Sequence, residues 1–261
     1  MENDLTDLIG DLYEEYREWI LRRDQVRKEA GSIWTAYLKE FGPLVAKRFS
    51  LQIECIRLKK QIAYIMQAVN AGKTLNLNDM DIAVAREMLP YRKQLQQLME
   101  DGMKSLKSKV STDYTVRRVR QIYRQIAKLI HPDMHPDTET NEKLKNLWQR
   151  TEDAYGENDL KGLEELLVLV QKALKGEQVP VVTMTPDALR EKIDQLKEEV
   201  HTIRTSDPYQ YADLLSDKKA VQAKTKELKA DIKDFEQYLE DLKEDKRNLL
   251  ADSGISIELC V

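Results

Sequence analysis

The spacing of apolar residues constrains this chain more than any other feature. Over most of its 261 residues, apolar side chains recur at alternating steps of three and four, which places them along one face of an α-helix. No stretch has the alternation of apolar and polar residues that would build a sheet. The chain has only 9 glycines and 7 prolines, and 34% of its residues are charged, a composition that favours long charged helices. The pattern predicts an all-α protein.

The N-terminal region, residues 1–106, is predicted to consist of helices. Its first long helix carries apolar side chains from Leu5 to Tyr37, and Arg23 is the one off-pattern member of the series. The Phe-Gly-Pro-Leu segment at 41–44 is expected to break or bend this helix, because a proline inside a helix removes a backbone hydrogen bond.

Two apolar seams after this segment predict a helical hairpin. The first seam is Leu51, Cys55, Leu58, Ile62, Ile65 and Val69, and the second is Val84, Met88, Tyr91, Leu95 and Leu98. Between them, Gly72 is expected to end one helix and Asn78 to cap the next. Because the turn is short, the seams should fold back on each other as an antiparallel pair, with a kink at Pro90.

The C-terminal region, residues 189–252, has the pattern of a coiled coil. Its apolar positions are Leu189, Ile193, Leu196, Val200 and Ile203, then Val221, Leu228, Ile232, Phe235, Leu239, Leu242 and Leu249. They step by three and four residues within a highly charged sequence, as heptads do. Thr225 and Lys246 are polar exceptions in the series, and Pro208 interrupts it. Such a region can bind a client or a second copy of the chain.

A stretch without helical period, residues 176–188, contains two prolines and is the predicted linker. It separates the coiled coil from a central helical domain at 107–175. A tail at 253–261 follows the coiled coil.

The segment 107–130 contains the first predicted helix of the central domain, which runs to Ile130 and combines an apolar face with a basic stripe. Ser111 or Thr112 can cap it. The apolar positions are Val116, Val119, Tyr123, Ile126 and Ile130, and the basic positions on an adjacent face are Arg117, Arg120, Arg124 and Lys128. Seven Lys and Arg against one Asp give the segment a charge of +6, in a chain whose net charge is −4. Such a stripe fits an acidic partner surface.

The tripeptide His-Pro-Asp occurs twice after this helix, at 131–133 and at 135–137. Proline disfavours helical geometry at the residue before it, so both histidines are expected in a loop. A second amphipathic helix is predicted from Glu142 to Tyr155, and Asn158 can cap a third. The predicted unit is therefore helix, His-Pro-Asp loop, helix, helix.

The residues of the loop leave several chemical interpretations open. The side chains of His131, Asp133, His135 and Asp137 are of types that bind metal ions, but two prolines constrain the loop and no cysteine is near. A hydrolytic site needs a Ser or Cys nucleophile with an orienting partner, which the sequence does not offer. Nucleic-acid phosphates would suit the basic helix, but the rest of the chain is acidic and the helix lacks interleaved aromatic residues. We expect no enzyme, no metal site and no cofactor.

The central domain resembles the J domain of DnaJ-type co-chaperones. The resemblance rests on "YRQIAKLIHPDMHPD" followed by "LWQRTEDAY", in which Tyr123 stands eight residues before His131, as in the family. This spacing identifies the first tripeptide as the family motif and places the second in the loop that follows it. The family's usual first helix has no clear counterpart, and residues 92–110 are the segment in its place. Neither a Gly/Phe-rich linker nor zinc-binding cysteine repeats follow.

The resemblance implies a co-chaperone that docks on a DnaK-type heat-shock ATPase and stimulates its ATP hydrolysis, with no bond chemistry of its own. In the family the basic helix steers and orients the domain, and the tripeptide makes the specific contact. The residues implied in chaperone binding are His131, Pro132, Asp133, Arg117, Arg120, Tyr123, Arg124 and Lys128. Pro132 would fix the backbone, and Asp133 would offer a charged acceptor to an arginine.

The alternative from another class is a coiled-coil scaffold whose J-like domain is uncoupled from any chaperone. For either class, the sequence predicts a cytoplasmic protein that does not enter a membrane. The N-terminus lacks the features of a signal peptide, and the longest apolar run, at 166–170, is too short to span a bilayer. Cys55 and Cys260 have no metal or redox spacing and suit a reducing compartment.

Overall fold

The computed structural model describes residues 2–107, 111–174, 184–254 and 257–258, and within these ranges the chain is almost entirely α-helical. The all-α prediction is confirmed. In chain order the elements are α1 (Glu2–Asn70), β1 (Leu75–Asn76), α2 (Leu77–Lys107), α3 (Asp113–Ile130), α4 (Asp137–Thr140), α5 (Glu142–Gly156), α6 (Leu160–Leu174), α7 (Pro186–Thr205), α8 (Tyr211–Ser216), α9 (Lys218–Asp252) and β2 (Ile257–Glu258). The two short strands pair in parallel, which the sequence did not indicate. No helix of the described ranges is long and apolar enough to cross a bilayer.

The chain forms two compact units. Unit 1 comprises Met1–Trp34 and Lys109–Tyr211, and unit 2 comprises Thr35–Ser108 and Ala212–Val261. Helix α1 therefore contributes its first half to unit 1 and its second half to unit 2. This grouping differs from the predicted succession of an N-terminal region, a central domain, a linker and a C-terminal coiled coil.

The predicted coiled coil at 189–252 is divided between the units. Helix α7 packs Leu189, Ile193 and Leu196 on the first half of α1, within unit 1. Helix α9 packs Leu242 against Cys55 and Leu58 of α1, within unit 2. A heptad pattern shows that a helix has an apolar seam, but not which other helix covers it. Most of the predicted linker and tail lies outside the described residues, and α7 begins at Pro186, inside the predicted linker, with Thr185 as its N-cap.

Helix α1 continues through the segment at 41–44, so the predicted break is absent. Pro43 lies inside the helix. A proline in a helix interior costs about 3 kcal/mol. Burial of the neighbouring Phe41 and Leu38 side chains, which are almost fully covered, offsets this cost.

The predicted hairpin forms the core of unit 2. Ile53 and Ile65 of α1 join Met80, Val84 and Met88 of α2 in one buried cluster. Helix α1 ends just before Gly72, whose φ of 60° is a conformation that glycine adopts without strain. The observed cap lies two residues before the predicted one, because Asn76 rather than Asn78 accepts the backbone N–H of Asp79, at 3.1 Å.

A buried amide explains why Lys246 departs from the apolar series. Gln61 of α1 is 4% exposed. Its Nε2 donates to Asp81 Oδ1 of α2 at 2.8 Å, and its Oε1 accepts from Lys246 Nζ of α9 at 2.9 Å. Three helices thus meet at one satisfied polar contact, and a buried polar contact of this kind fixes the register of the helices that share it.

Unit 1 is built around α3, α5 and α6, which share one apolar core. That core includes Val119, Ile126, Leu147, Leu163 and Val170. Helix α6 packs on both α3 and α5. The segment 92–110 does not complete this bundle, because its described part belongs to α2 in unit 2.

Local capping in the bundle follows the sequence closely. Thr112 caps α3, as predicted, by accepting the Thr115 N–H at 3.2 Å. Asn141 caps α5 in the same way. For α6 the prediction is wrong by one residue. Asp159 accepts the Gly162 N–H at 3.0 Å, whereas Asn158 has a positive φ in the turn before the helix.

Candidate interaction site at the His-Pro-Asp loop

The first tripeptide forms a tight turn at the end of α3. His131 has extended backbone angles, as expected for a residue before proline, and its N–H still donates to Ala127 O at 2.9 Å. The His131 carbonyl then accepts the N–H groups of Met134 and His135, at 2.9 and 2.7 Å. The loop backbone is therefore held by its own hydrogen bonds as it leaves the helix.

The imidazole of His131 is buried and its tautomer follows from its contacts. Nδ1 accepts the backbone N–H of Asp133 at 3.0 Å, so the ring proton lies on Nε2. Nε2 is 3.2 Å from Asp24 Oδ2, to which it donates. The ring also packs edge-on against Trp148, with 4.5 Å between ring centroids. Only 4% of His131 is exposed, so the ring organises the loop from inside.

Asp133 presents its carboxylate outward, where an arginine binds it. Arg23 Nη1 of α1 donates to Asp133 Oδ2 at 2.7 Å, and the Asp133 side chain is 41% exposed. Tyr16 of α1 donates its hydroxyl to the Asp133 carbonyl at 3.2 Å. The first tripeptide thus makes a charged hydrogen bond to a guanidinium, the type of contact that the sequence predicts for Asp133 with a partner.

Asp24 is the centre of the buried polar contacts on this face. Its carboxylate accepts from Arg23 Nη2 at 2.9 Å, from the Tyr123 hydroxyl at 2.8 Å and from His131 Nε2. Both Arg23 and Asp24 side chains are about nine-tenths covered. A buried charge pair is tolerated when its remaining donors and acceptors are satisfied, as they are here.

The electrostatics hold these groups in one charge state. Burial opposes ionisation of Asp24, but the hydrogen bond from His131, followed by the charge and hydrogen bond of Arg23, outweighs it and keeps the pKa of Asp24 below its ordinary value. Burial also opposes the charge of Arg23, yet Asp24 and Asp133 raise the pKa of its guanidinium. Burial, reinforced by the Asp24 charge, raises the pKa of the Tyr123 phenol.

The predicted basic stripe divides into two pairs. Arg120 lies 3.7 Å from Glu29 and Arg124 lies 3.2 Å from Glu18, both carboxylates belonging to α1. Arg117 and Lys128 are exposed. The Arg117 guanidinium donates to the Asp113 carbonyl within α3. The structure therefore brings His131, Asp133, Tyr123, Arg120 and Arg124 together under one segment of α1.

Stacked aromatic rings extend the site along α5. The rings of Tyr123 and Tyr155 stack with 3.8 Å between centroids, and Lys28 Nζ of α1 lies 3.7 Å from the centre of the Tyr155 ring. This ammonium is buried and has no hydrogen-bond partner among the described residues. Its burial, followed by the charge of Arg120, lowers the pKa of Lys28 to about 8.

Replacing Lys28 with methionine is expected to raise the free energy of unfolding by about 1 kcal/mol at neutral pH, because an unsatisfied buried charge is removed and only a cation–π contact is lost. The folded-state pKa of about 8 lies below the ordinary 10.5. Wild-type stability should therefore rise between these pH values, where only the unfolded state keeps the proton, and the advantage of Lys28→Met should shrink. Chemical denaturation at several pH values measures this. Lys161→Met, at an exposed lysine, is the control, and a constant difference across the range would contradict the expectation.

The second tripeptide has a different environment from the first. His135 Nε2 contacts the carbonyl of Lys128 at 2.9 Å, and Asp137 begins the short helix α4. The two histidine rings therefore have separate partners. In the described ranges, no three His, Cys, Asp or Glu side chains converge in a way that would hold a metal ion.

Sequence reasoning missed the residues that α1 contributes to this site. Tyr16, Asp24 and Lys28 had no distinguishing signal among the charged and apolar residues of a long helix. Arg23 did have one, since it occupies an apolar position of the series, and it is 9% exposed in the structure. A charged residue on an apolar face indicates a buried partner, and here that partner is the pair of carboxylates Asp24 and Asp133.

No protein-family model, no curated protein and no solved structure matches this chain.

Proposed function

We propose that the protein is a co-chaperone that docks on a DnaK-type heat-shock ATPase through α3 and the first His-Pro-Asp loop, and that it stimulates ATP hydrolysis by that ATPase. One observation supports the proposal most strongly. At the end of a basic helix, Asp133 holds an arginine side chain at 2.7 Å, in a loop that His131 and its own backbone keep in place. The loop therefore has the geometry for charged recognition of a guanidinium.

The division of roles follows from burial. His131 is a positioning residue, because its ring hydrogen-bonds the Asp133 backbone from within the fold. Pro132 keeps the residue before it extended. Asp133 is the contact residue, since its carboxylate reaches the surface and charge-assisted hydrogen bonds to arginine are short and strong. The stripe of Arg117, Arg120, Arg124 and Lys128 attracts an acidic surface over a longer range and sets the rate of encounter.

The second candidate function is a coiled-coil scaffold, and one observation favours it. Tyr123 and His131 are both almost fully covered, and α1 contributes the carboxylate that binds them. In a scaffold whose J-like bundle is uncoupled from any chaperone, this coverage would be permanent. Phosphate binding is less well supported, because Arg120 and Arg124 already face carboxylates.

Asp133→Asn is expected to reduce stimulation of the chaperone to the unstimulated rate, because the neutral amide loses the charged contact with arginine while the loop backbone stays hydrogen-bonded. The measurement is steady-state ATP hydrolysis by the DnaK-type chaperone of the same host, with each variant titrated in. Far-UV circular dichroism checks that the helices are retained.

Asp137→Asn is the matched control, since it makes the same change in the second tripeptide. It should stimulate as the wild type does. Equal stimulation by wild type and Asp133→Asn would refute the proposed role of the first tripeptide.

A further inference from the structure

The segment of α1 from Leu12 to Trp34 lies on the same side chains that the proposed function assigns to chaperone binding. It contacts the first tripeptide through Arg23, Asp24 and Tyr16. It contacts the basic helix through Glu18 and Glu29. A partner approaching this face would compete with α1 for each of these contacts.

The segment carries the charges that a partner of this face would need, namely acidic side chains and one arginine. Glu18, Asp24 and Glu29 face basic or hydroxyl groups of α3 and the loop, and Arg23 faces the Asp133 carboxylate. A basic helix ending in an acidic loop attracts the complementary arrangement of charges. Here the complement is supplied by the chain itself.

The way the segment is anchored suggests that this contact can open. Its apolar residues Leu12, Tyr16 and Ile20 share a core with α7. In the core of the α3–α5–α6 bundle, by contrast, Leu21 is the α1 member of the buried cluster. The outer ion pairs to Arg120 and Arg124 are 33–53% exposed, and exposed pairs contribute little to stability. The segment thus shares an apolar cluster with α7, whereas its contacts with the tripeptide and with the basic side chains of α3 are polar.

We infer that residues 12–34 of α1 are a releasable cover over the His-Pro-Asp face, and that the face engages its partner after the cover has moved away. The second half of this inference rests on the proposed co-chaperone function. The first half concerns the chain alone and is tested without any chaperone.

The experiment compares two charge-exchanged variants of the full chain. The first variant, Glu18→Lys with Arg23→Glu, is called the cover variant. It places a lysine opposite Arg124 and a glutamate opposite Asp133, so that the cover is repelled from the face. Glu14→Lys with Arg22→Glu makes the same two kinds of change at exposed positions of the same helix and is the matched control. Both variants keep the net charge of the chain.

The first measurement is the rate at which diethylpyrocarbonate modifies His131, followed by mass spectrometry. His201, which is exposed on α7, is the internal reference in the same sample. In the cover variant the reactivity of His131 relative to His201 should rise by roughly tenfold, since each 1.4 kcal/mol removed from the closed state changes its population tenfold. The control variant should react as the wild type does. An unchanged rate in the cover variant would overturn the inference.

The second measurement is stimulation of the DnaK-type ATPase, together with thermal unfolding. Stimulation above the wild-type level by the folded cover variant supports the whole inference. His131 could also become reactive because the α3–α5–α6 bundle of the cover variant no longer unfolds cooperatively. In that case residues 12–34 are a structural part of the bundle, and the inference of a releasable cover is refuted. Faster His131 modification with no stimulation by any variant would retain the cover and refute the co-chaperone function. Equal, nonzero stimulation by wild type and cover variant would overturn the gating role.

Discussion

Replacing Trp148 with alanine is expected to lower the free energy of unfolding of the α3–α5–α6 bundle by about 3–5 kcal/mol, the usual cost of truncating a buried tryptophan. Trp148 is 6% exposed and belongs to the core of the bundle. Its ring lies 5.8 Å from that of Tyr123 and 4.5 Å from that of His131, measured between centroids. The cavity would therefore remove packing from the core and from the His-Pro-Asp loop together.

Hydrogen exchange of the backbone amides of α3 and α5 measures this loss directly, because the slowest amides report unfolding of the bundle. Trp19→Ala is the control. Trp19 is only partly buried, and its ring is near Lys197 and Glu15 at the surface. Its replacement should cost about 1 kcal/mol. Similar losses for the two variants would show that Trp148 does not have the central packing role described for it.

The helices themselves were predictable from local sequence because their causes are local. Apolar steps of three and four define each helix face, Thr112 supplies a hydroxyl to an unsatisfied N–H, and proline ends α3 at the first tripeptide. Two local predictions failed by shifts of one or two residues, at Asn78 and Asn158, where a neighbouring Asn or Asp side chain serves as the cap. A third, the break at 41–44, failed because α1 continues through Pro43.

Pairings between distant helices could not be predicted in the same way. The sequence grouped 189–203 with 221–249 because both have heptad steps, yet α7 and α9 belong to different units. Each seam is covered by a different half of α1, and the apolar pattern alone contains no information on which half. The candidate site has the same limitation. Its His131–Asp24 contact joins residues more than one hundred positions apart, and an aspartate in a charged helix looks the same whether it is buried or exposed.

Changing Asp24 to asparagine is expected to weaken the closure of α1 on the His-Pro-Asp face by about 3 kcal/mol, because removing one member of a buried charge pair leaves the other uncompensated. Arg23 would keep Asp133 as a partner but lose its buried one, while Tyr123 and His131 would share a neutral amide oxygen. The amides of Met134 and His135, which donate to the His131 carbonyl, report the closure through their hydrogen exchange. Asp11→Asn, at an exposed position of the same helix, is the control.

The difference in hydrogen exchange between wild type and Asp24→Asn should also depend on pH, and it should shrink in acid. The folded-state pKa of Asp24 lies below its ordinary 3.8. The ionised Asp24 carboxylate therefore contributes its full stabilisation above pH 3.8, and this stabilisation is lost as the pH falls through the folded-state pKa. Asp24→Asn binds no proton in this range, so the stability of the variant does not change for this reason. The difference in exchange between wild type and variant should be constant from neutral pH to about pH 5 and should shrink as the pH falls below the ordinary pKa of 3.8. A difference that persisted unchanged in acid, or equal protection of the two proteins at neutral pH, would mean that the buried charge of Asp24 does not hold α1 on this face.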